Sequence, residues 1–433
     1  MDSFLFVLYN KLSFIVYNYR RYTMSGKILI VGQSGGPTAV INSSLYGVVS
    51  EARRHPEEIS RVYGMVNGIE GFLNDTILDF DEVLPGDKLD ALLYTPGAYL
   101  GSCRYKLPES LDDPVYLKLF EKFKEMNIGY FQYIGGNDSM DTVSKLSRYA
   151  ASIGSDIRII GQPKTIDNDL VQTDHTPGYG SAAKYVASTV REIVLDANVY
   201  EKESVTIIEI MGRHAGWLTA AAALARKYTG DNPMLIYLPE TSFDTEDFLT
   251  KVGQCLKKNC NVIVCVSEGI HDKEGTFICE YDNSVGTDTF GHKMLAGCGK
   301  YLENLVRSRL GVKARSVEFN VSQRCSASML SATDQQEAAA AGSFGVKAAL
   351  QGETGKMVSF QRQTTADGSY QMNCGLTDVN EVCNKEKTVP LSWISADGTD
   401  VTEDFIAYAR PLIQGKVDVP LGEDGLPAFI SRK

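Results

Sequence analysis

The sequence lacks the cysteine and histidine patterns that would indicate disulfides or a metal centre. Its nine cysteines are an odd number, and no two of them form a C-x-x-C pair. The five histidines show no spacing typical of metal ligands. Disulfide frameworks need paired cysteines, and structural zinc sites need closely spaced thiols. These absences argue against both classes and predict reduced cysteines in a cytoplasmic protein.

The sequence also has no excess of positive charge and no long apolar run. Its 43 Lys and Arg residues face 54 Asp and Glu residues, which gives a net charge of −11. This balance argues against nucleic acid or an acidic membrane surface as the main partner. The apolar runs 4–9 and 12–17 are too short to span a bilayer. The net charge does not exclude an anionic small substrate, because a local cluster of Arg and Lys can bind one on a protein that is negative overall.

Residues 1–23 do not share the pattern of the rest of the chain. They hold the two short apolar runs, without the basic start and small-residue cleavage site of a secretory signal. A regular strand pattern begins only after Met24. We therefore expect 1–23 to be a dispensable N-terminal extension whose deletion leaves activity intact.

From Met24 onwards, short apolar runs alternate with helical patterns of roughly 12 to 18 residues, which is typical of a parallel α/β sheet. The strands are predicted at 27–31, 61–66, 128–134, 157–161, 205–210, 234–238, 262–266 and 315–319. The helices are predicted at 38–54, 115–127, 139–151, 180–197, 217–226, 245–259, 293–310, 334–351 and 404–412. Residues 362–378 are polar and contain glycine, so they predict a surface loop or a hairpin.

Two strands end in glycine turns that precede helices. Gly35 and Gly36 follow the first strand, and Gly135 and Gly136 follow the third. Such a turn lets a phosphate approach the backbone and the positive end of the helix. Asp138 is unexpected in the second turn, because its charge would repel a phosphate. The simpler alternative is that Asp138 N-caps the helix.

A third strand end is rich in charge. Lys164, Asp167 and Asp169 lie within six residues after the strand 157–161. In an open parallel sheet, ligands bind beyond the carboxyl ends of the strands. The loop is therefore a candidate general base or metal ligand, with an ordinary acidic turn as the alternative.

Four arginines complete the pattern: Arg104, Arg213, Arg315 and Arg324. Each lies in a loop or near a strand end, where a guanidinium can bind a phosphate through two hydrogen bonds. Two glycine turns, an acidic loop and these arginines would converge if the ligands are phosphates. The residues thus predict phosphoryl transfer to or from a phosphorylated metabolite.

The ordered motifs resemble those of the phosphofructokinases over about residues 26–350. They are Gly35-Gly36, Gly135-Gly136-Asn137-Asp138-Ser139, Pro163 to Asp169, Met211-Gly212-Arg213, Ser267-Glu268-Gly269 and Gln323-Arg324. Within the family the chain resembles the pyrophosphate-dependent branch, because ATP-using members typically carry glycine at the positions of Asp138 and Lys164. The resemblance implies a two-domain α/β fold, with mainly parallel sheets flanked by helices and the active site in the interdomain cleft.

The resemblance also implies a role for each matching residue in a reversible glycolytic transfer between diphosphate and fructose 6-phosphate. Asp167 would be the general base, Lys164 and Arg213 would stabilise the transferred group, and Asp138 would exclude ATP. The donor would contact Gly35, Gly36, Arg104 and Ser139. The sugar phosphate would contact Thr165, Ile166, Asp167, Met211, Gly212, Arg213, Glu268, Arg315 and Arg324, with one arginine from a neighbouring subunit.

The resemblance further implies Mg²⁺, a homodimer or homotetramer, and two domains. Asn137 stands at the metal position, where many relatives have aspartate. Because an amide is a weaker Mg²⁺ ligand than a carboxylate, Asp138, Asp167 or Asp169 could instead hold the ion through water. Residues 24–178 with about 323–375 would bind the donor, and residues 179–322 with the C-terminal tail would bind fructose 6-phosphate.

Three alternatives stay open. The first is an ATP-dependent 6-phosphofructokinase. The second is a kinase that uses ATP on NAD or a lipid, which would share the glycine turn but would not explain Pro163 to Asp169. The third is a catalytically silent regulatory subunit, which would be expected to have lost Asp167 or Arg213; both are present.

Overall fold

The strands of the described residues form two sheets in which most pairs are parallel. The computed structural model describes residues 26–199, 201–228, 230–282 and 297–432, so the predicted extension 1–23 lies outside the described part. The first sheet has seven strands and the second has four. Helices cover the faces of both sheets, which confirms the predicted α/β class.

The first sheet has the strand order β11-β10-β5-β4-β1-β2-β3. Its central strands are parallel and are buried apolar runs, as expected for a sheet covered on both faces. Two antiparallel pairs, β2 with β3 and β10 with β11, form its edges. The strands are β1 (Lys27–Gln33), β2 (Ile59–Met65), β3 (Ile77–Asp79), β4 (Ile128–Gly135), β5 (Arg158–Pro163), β10 (Lys356–Thr364) and β11 (Tyr370–Asp378).

The second sheet has the strand order β7-β8-β6-β9 and is parallel throughout. Its strands are β6 (Ser204–Ile210), β7 (Leu235–Tyr237), β8 (Asn261–Ser267) and β9 (Lys313–Glu318). The chain therefore leaves the first sheet after β5, builds the second sheet, and returns to the first with β10.

The helices connect the strands as the alternating pattern predicts. They are α1 (Ile41–Ala52), α2 (Gly68–Leu73), α3 (Phe80–Val83), α4 (Pro114–Glu125), α5 (Asn137–Ser152), α6 (Tyr179–Ala197), α7 (Trp217–Ala220), α8 (Thr245–Leu256), α9 (Cys298–Leu310), α10 (Ala332–Leu350) and α11 (Glu403–Ala409). Within the described ranges, no helix combines the length and the apolar character needed to cross a membrane.

Most predicted elements are confirmed, and α2, α3 and β10 are among the elements that the prediction lacked. The helix predicted at 217–226 is one α-helical turn followed by a 3₁₀ helix over Ala221–Ala225. The helix predicted at 293–310 begins at Cys298 in the described part. The segment 362–378 is a hairpin, but it extends the first sheet rather than standing alone. The short strand Ile77–Asp79 and the 3₁₀ helix Gly86–Leu93 were not predicted.

The parallel order places several strand ends together. Strands β1, β4 and β5 are neighbours, and each ends in a polar or glycine-rich turn. In the second sheet β6 and β8 are neighbours and end before Met211 and Glu268. Carboxyl ends of parallel strands share one edge of a sheet, so the candidate residues of each sheet lie together. Residues from both edges line one cleft.

Candidate active site

A cleft of about 830 Å³ contains nearly all of the residues that the sequence singles out. Loops from both sheets line it. Its predicted lining residues are Gly35, Gly36, Arg104, Asn137, Asp138, Ser139, Lys164, Thr165, Ile166, Asp167, Met211, Arg213, Glu268 and Arg324. The structure thus brings together the glycine turns, the acidic loop and three of the four arginines.

The first glycine turn lies directly against two cations. Lys164 Nζ donates a hydrogen bond to the Gly36 carbonyl oxygen at 2.7 Å. A Cβ atom on Gly36 would lie 3.1 Å from an Arg324 guanidinium nitrogen, and one on Gly35 would lie 3.3 Å from Lys164 Nζ. Gly35 also has a positive φ of 76°. Side chains here would crowd the cations, so glycine keeps them open to a ligand.

The second glycine turn shows that Asp138 is not an N-cap. Gly136 is the N-cap of α5 and makes no side-chain cap bond, so the simpler alternative is wrong. Asp138 lies in the first turn instead, with its side chain 67% exposed and 3.4 Å from Lys106 Nζ. A Cβ on Gly135 would fall 1.9 Å from Ser139 Oγ. This close approach explains the glycine before the helix.

Lys164 is a buried cation, 3% exposed, in the wall of the cleft. Burial lowers its pKa to about 8, although the carboxylates of Asp167 and Asp169 favour the charged form. Desolvation disfavours an ammonium ion, and nearby carboxylates oppose that effect. The group can therefore be charged at neutral pH and still exchange its proton near pH 8.

The acidic loop holds two carboxyl groups with raised pKa values. Burial raises the pKa of Asp167, against the charges of Lys164, Arg324 and Arg213. Burial and the neighbouring Asp167 raise the pKa of Asp169. Two nearby carboxylates in a desolvated loop resist being charged together. A raised pKa makes a carboxylate a better proton acceptor, which is what a general base requires.

The conformation of the acidic loop is held from behind. Asn168 has a positive φ of 55°, so the chain kinks between the two aspartates. Its Nδ2 donates to the Tyr408 hydroxyl at 2.8 Å. The amide of Asp167 donates to Thr165 Oγ1 at 3.0 Å. These contacts aim the carboxyl of Asp167 into the cleft.

The other end of the cleft follows strands β6 and β8. Gly212 lies just behind the lining, with a φ of 145°, and its amide donates to Glu268 Oε1 at 3.4 Å. Burial raises the pKa of Glu268 to about 7. A Cβ on Gly269 would fall 1.9 Å from the Arg213 carbonyl oxygen, so the two loops touch through glycine. Met211 and Arg213 border the cleft beside this contact.

Arg315 is the predicted arginine that the cleft of one chain does not contain. Its side chain is 49% exposed, and its guanidinium lies 3.9 Å from Asp196. It lies on β9, outside the lining. A role for Arg315 therefore requires that it reach the cleft of another subunit, as the resemblance implies for one arginine.

Asn137 has contacts that the sequence did not suggest. Its Nδ2 donates to the Lys385 carbonyl oxygen at 2.6 Å, and its Oδ1 accepts from the Asn384 amide at 2.6 Å. Both ends of the amide are thus bonded to the backbone of a distant segment. Asn384 and Glu386 line the cleft and were missed, because polar residues after the hairpin show no local pattern.

His214 was also missed, although it adjoins the predicted Arg213. Its Nδ1 lies 3.1 Å from Glu386 Oε2. This hydrogen bond raises the pKa of His214. Adjacency to an arginine at a strand end was the only available signal.

The residues fit a magnesium ion bound mainly through its substrate. Among the described residues, no group of three or more His, Cys, Asp or Glu side chains is placed to hold a metal. The buried Oδ1 of Asp169, however, has no hydrogen-bond partner in the described part of the chain. Mg²⁺ usually takes one or two carboxylates together with waters and substrate phosphates. Asp169 and Asp167 meet that requirement.

Comparisons with known proteins point the same way as the geometry. The family model described as phosphofructokinase matches residues 27–348. A pyrophosphate–fructose 6-phosphate 1-phosphotransferase of Methylococcus capsulatus is 39% identical over 94% of this chain and 96% of its own. One of Rhodospirillum rubrum is 41% identical over 90% of this chain and 94% of its own. The crystal structure of a pyrophosphate-dependent phosphofructokinase of Nitrosospira multiformis has a TM-score of 0.84 and 37% identity, covering 94% of this chain and 96% of its own.

Proposed function

The chain belongs to the phosphofructokinase family, and we propose that it transfers a phosphoryl group reversibly between diphosphate and the 1-hydroxyl of fructose 6-phosphate. The observation that carries this proposal is the meeting of Lys164, Asp167 and Asp138 in one cleft. A base, a buried cation and a fixed negative charge are what this donor and acceptor require. The named relatives act on the same pair of substrates.

Asp167 is the general base in this proposal. Its raised pKa lets it take the proton of the sugar hydroxyl as that oxygen attacks the donor phosphorus. The hydrogen bond from its amide to Thr165 and the kink at Asn168 keep it pointing at the cleft. A positioned base typically contributes about 10² to 10⁴-fold to the rate.

The transferred group is stabilised by cations on several sides. Lys164 and Arg213 would face it from the two halves of the cleft, and Arg104 would contact the donor. Charge on the phosphoryl oxygens is spread out during transfer, so fixed cations in a desolvated site lower the barrier. Gly35, Gly36 and Ser139 would line the donor side, where the positive end of α5 favours an anion.

Magnesium supplies further charge neutralisation when it is bound with the diphosphate. Asp169, with its buried Oδ1, would hold the ion directly or through water, and Asp167 would contact it only through water, which leaves its carboxylate able to accept a proton. Binding of the ion would also lower the mutual repulsion of the two carboxylates.

Asp138 selects the donor. Its carboxylate stands at the start of α5, where a longer chain of phosphates would run toward the positive end of the helix. A negative charge there repels the extra phosphate of ATP but leaves room for diphosphate. Selection of this kind acts through a repulsive element as much as through contacts to the chosen ligand.

Fructose 6-phosphate would contact the remaining residues that line the cleft. Thr165, Ile166, Met211 and Glu268 border the acceptor side, and Gly212 fixes the position of Glu268. Arg324 binds the 6-phosphate from the same chain. Arg315 does so from a neighbouring subunit, so the working enzyme is a homo-oligomer.

A coupled assay with fructose 6-phosphate and Mg²⁺ tests the proposal by comparing diphosphate with ATP as donor. We expect turnover with diphosphate and little or none with ATP. Turnover with ATP alone would overturn the role given to Asp138 while keeping the family. Binding of fructose 6-phosphate without turnover from either donor would indicate a regulatory subunit instead.

A further inference from the structure

The polar residues 384–387 form a strap that borders the cleft from outside the region matched by the family model. They follow the hairpin β10–β11 and lie beyond the region 27–348 that the family model matches. Asn384 and Glu386 line the cleft. This wall of the cleft is therefore made by a part of the chain that the matched family region does not include.

The strap is attached at both halves of the cleft. At one end, Asn137 at the start of α5 binds its backbone through two hydrogen bonds of 2.6 Å. At the other, Glu386 binds His214, next to Arg213. Between them the Lys387 amide donates to the Asp169 carbonyl oxygen at 2.7 Å. The strap thus touches the helix start, the acidic loop and the second sheet.

The bonds of Asn137 require an amide. One of its side-chain atoms must donate, to the Lys385 carbonyl, and the other must accept, from the Asn384 amide. An ionised carboxylate can only accept. With aspartate at this position, an oxygen would face the Lys385 carbonyl oxygen and the pairing would be lost. Asn137, which stands where many relatives have an acidic metal ligand, is therefore the residue that these two bonds to the strap require.

We propose that Asn137 is the anchor of the 384–387 strap and not a ligand of the metal, and that the strap positions the acidic loop through the backbone of Asp169. This inference rests on the proposed function, because it assigns a positioning role within that reaction. It is consistent with the bonds of both side-chain atoms of Asn137 to the backbone of residues 384 and 385.

The carbonyl of Asp169 is the point where the strap acts on the chemistry. The hydrogen bond from Lys387 fixes the backbone directly after the kink at Asn168. The Lys387 carbonyl in turn accepts from Trp217 Nε1 at 2.9 Å, so the far side of the strap is held by the second sheet's loop. Loss of the anchor would let the Asp167–Asp169 loop shift, and small displacements of reacting groups cost much rate.

The substitution Asn137→Asp separates the two assignments, because they predict opposite results. If Asn137 anchors the strap, N137D releases it. We expect hydrogen–deuterium exchange of the peptide 379–390 to be about 5-fold faster than in the wild-type full-length protein without ligands. Lys385→Ala is the matched control: it removes an ammonium group that pairs with Glu381, and it keeps both anchor bonds, which use the backbone. Its exchange should match the wild type.

The same variants are then assayed with diphosphate at a series of Mg²⁺ concentrations. We expect N137D to lower kcat by about 10-fold, to leave KM for fructose 6-phosphate within about 2-fold, and not to lower the Mg²⁺ concentration needed for half-maximal rate. Unchanged exchange in N137D, or a higher kcat at lower Mg²⁺, would overturn the proposal. Because exchange is measured without substrates, a failure of the proposed activity in the wild type would be seen separately.

Discussion

The two acidic regions of the cleft differ in how they hold their charge. Asp138, at the start of α5, is exposed and paired with the half-exposed Lys106. Asp167 and Asp169, after β5, are partly buried, and desolvation raises their pKa values. The first region presents its carboxylate to the solvent, and the second holds carboxyl groups with a raised affinity for protons. This difference suits Asp138 to the proposed selection of the donor and Asp167 to the proposed proton transfer.

The cations show the same contrast. Lys106 lies at the solvent side, whereas Lys164 is buried against Gly36 and shares the acidic loop's environment. A surface ion pair contributes little to stability, so the pair of Lys106 and Asp138 is better understood as a feature of the donor entrance. The buried lysine is the one we propose to act on the transferred group.

The largest expected effect comes from removing the carboxylate of Asp167. Asp167→Asn keeps the size of the side chain but abolishes the base, so kcat with diphosphate should fall by about 10² to 10⁴-fold. Steady-state kinetics with both substrates would measure this, with circular dichroism as the control for folding. A loss of kcat of less than a few-fold would contradict the role of Asp167 as the general base.

A smaller effect is expected when the exposed carboxylate of Asp138 is removed. Asp138→Asn keeps the shape and removes the charge, while Asp138→Gly removes both. We expect the rate with diphosphate to fall by roughly 10-fold in D138G. Turnover with ATP should be higher in D138G than in D138N, because D138G removes both the charge and the bulk. The ratio of kcat/KM for the two donors is the measurement. Unchanged ratios in both variants would contradict the selection role.

The smallest predicted effect is a change of kcat with pH in the unmodified protein. The base must be deprotonated, so kcat should fall as pH drops below the raised pKa of the aspartate pair. Lys164 must be protonated, so the rate should fall again above about pH 8. Lys164→Met should lose this alkaline limb along with much of the rate, whereas Lys106→Ala should keep both limbs. An alkaline limb that persists in K164M would assign it to another group.

Local patterns predicted most of the strands, most of the helices and most of the cleft, because each loop of the candidate site follows a strand directly. The turn at Asp138 could be placed but not interpreted, since Asp138 lies only two positions after the N-cap Gly136 and a sequence does not locate a helix start that finely. The strap could not be predicted. Its anchor joins Asn137 to a residue 247 positions away, and only the assembled sheets bring the two together. Arg315 was singled out for its charge, but which subunit's cleft it serves depends on assembly.

The return of the chain to the first sheet has a consequence for how the enzyme forms. Strand β5, which carries the acidic loop, pairs on one side with β10, joining Ile160 to Lys356 and Gly161 to Met357. That partner is synthesised almost two hundred residues later, after the whole second sheet. Contacts of such long sequence separation form slowly and late. A chain emerging from the ribosome therefore carries an open sheet edge beside its catalytic loop until the C-terminal hairpin arrives to close it.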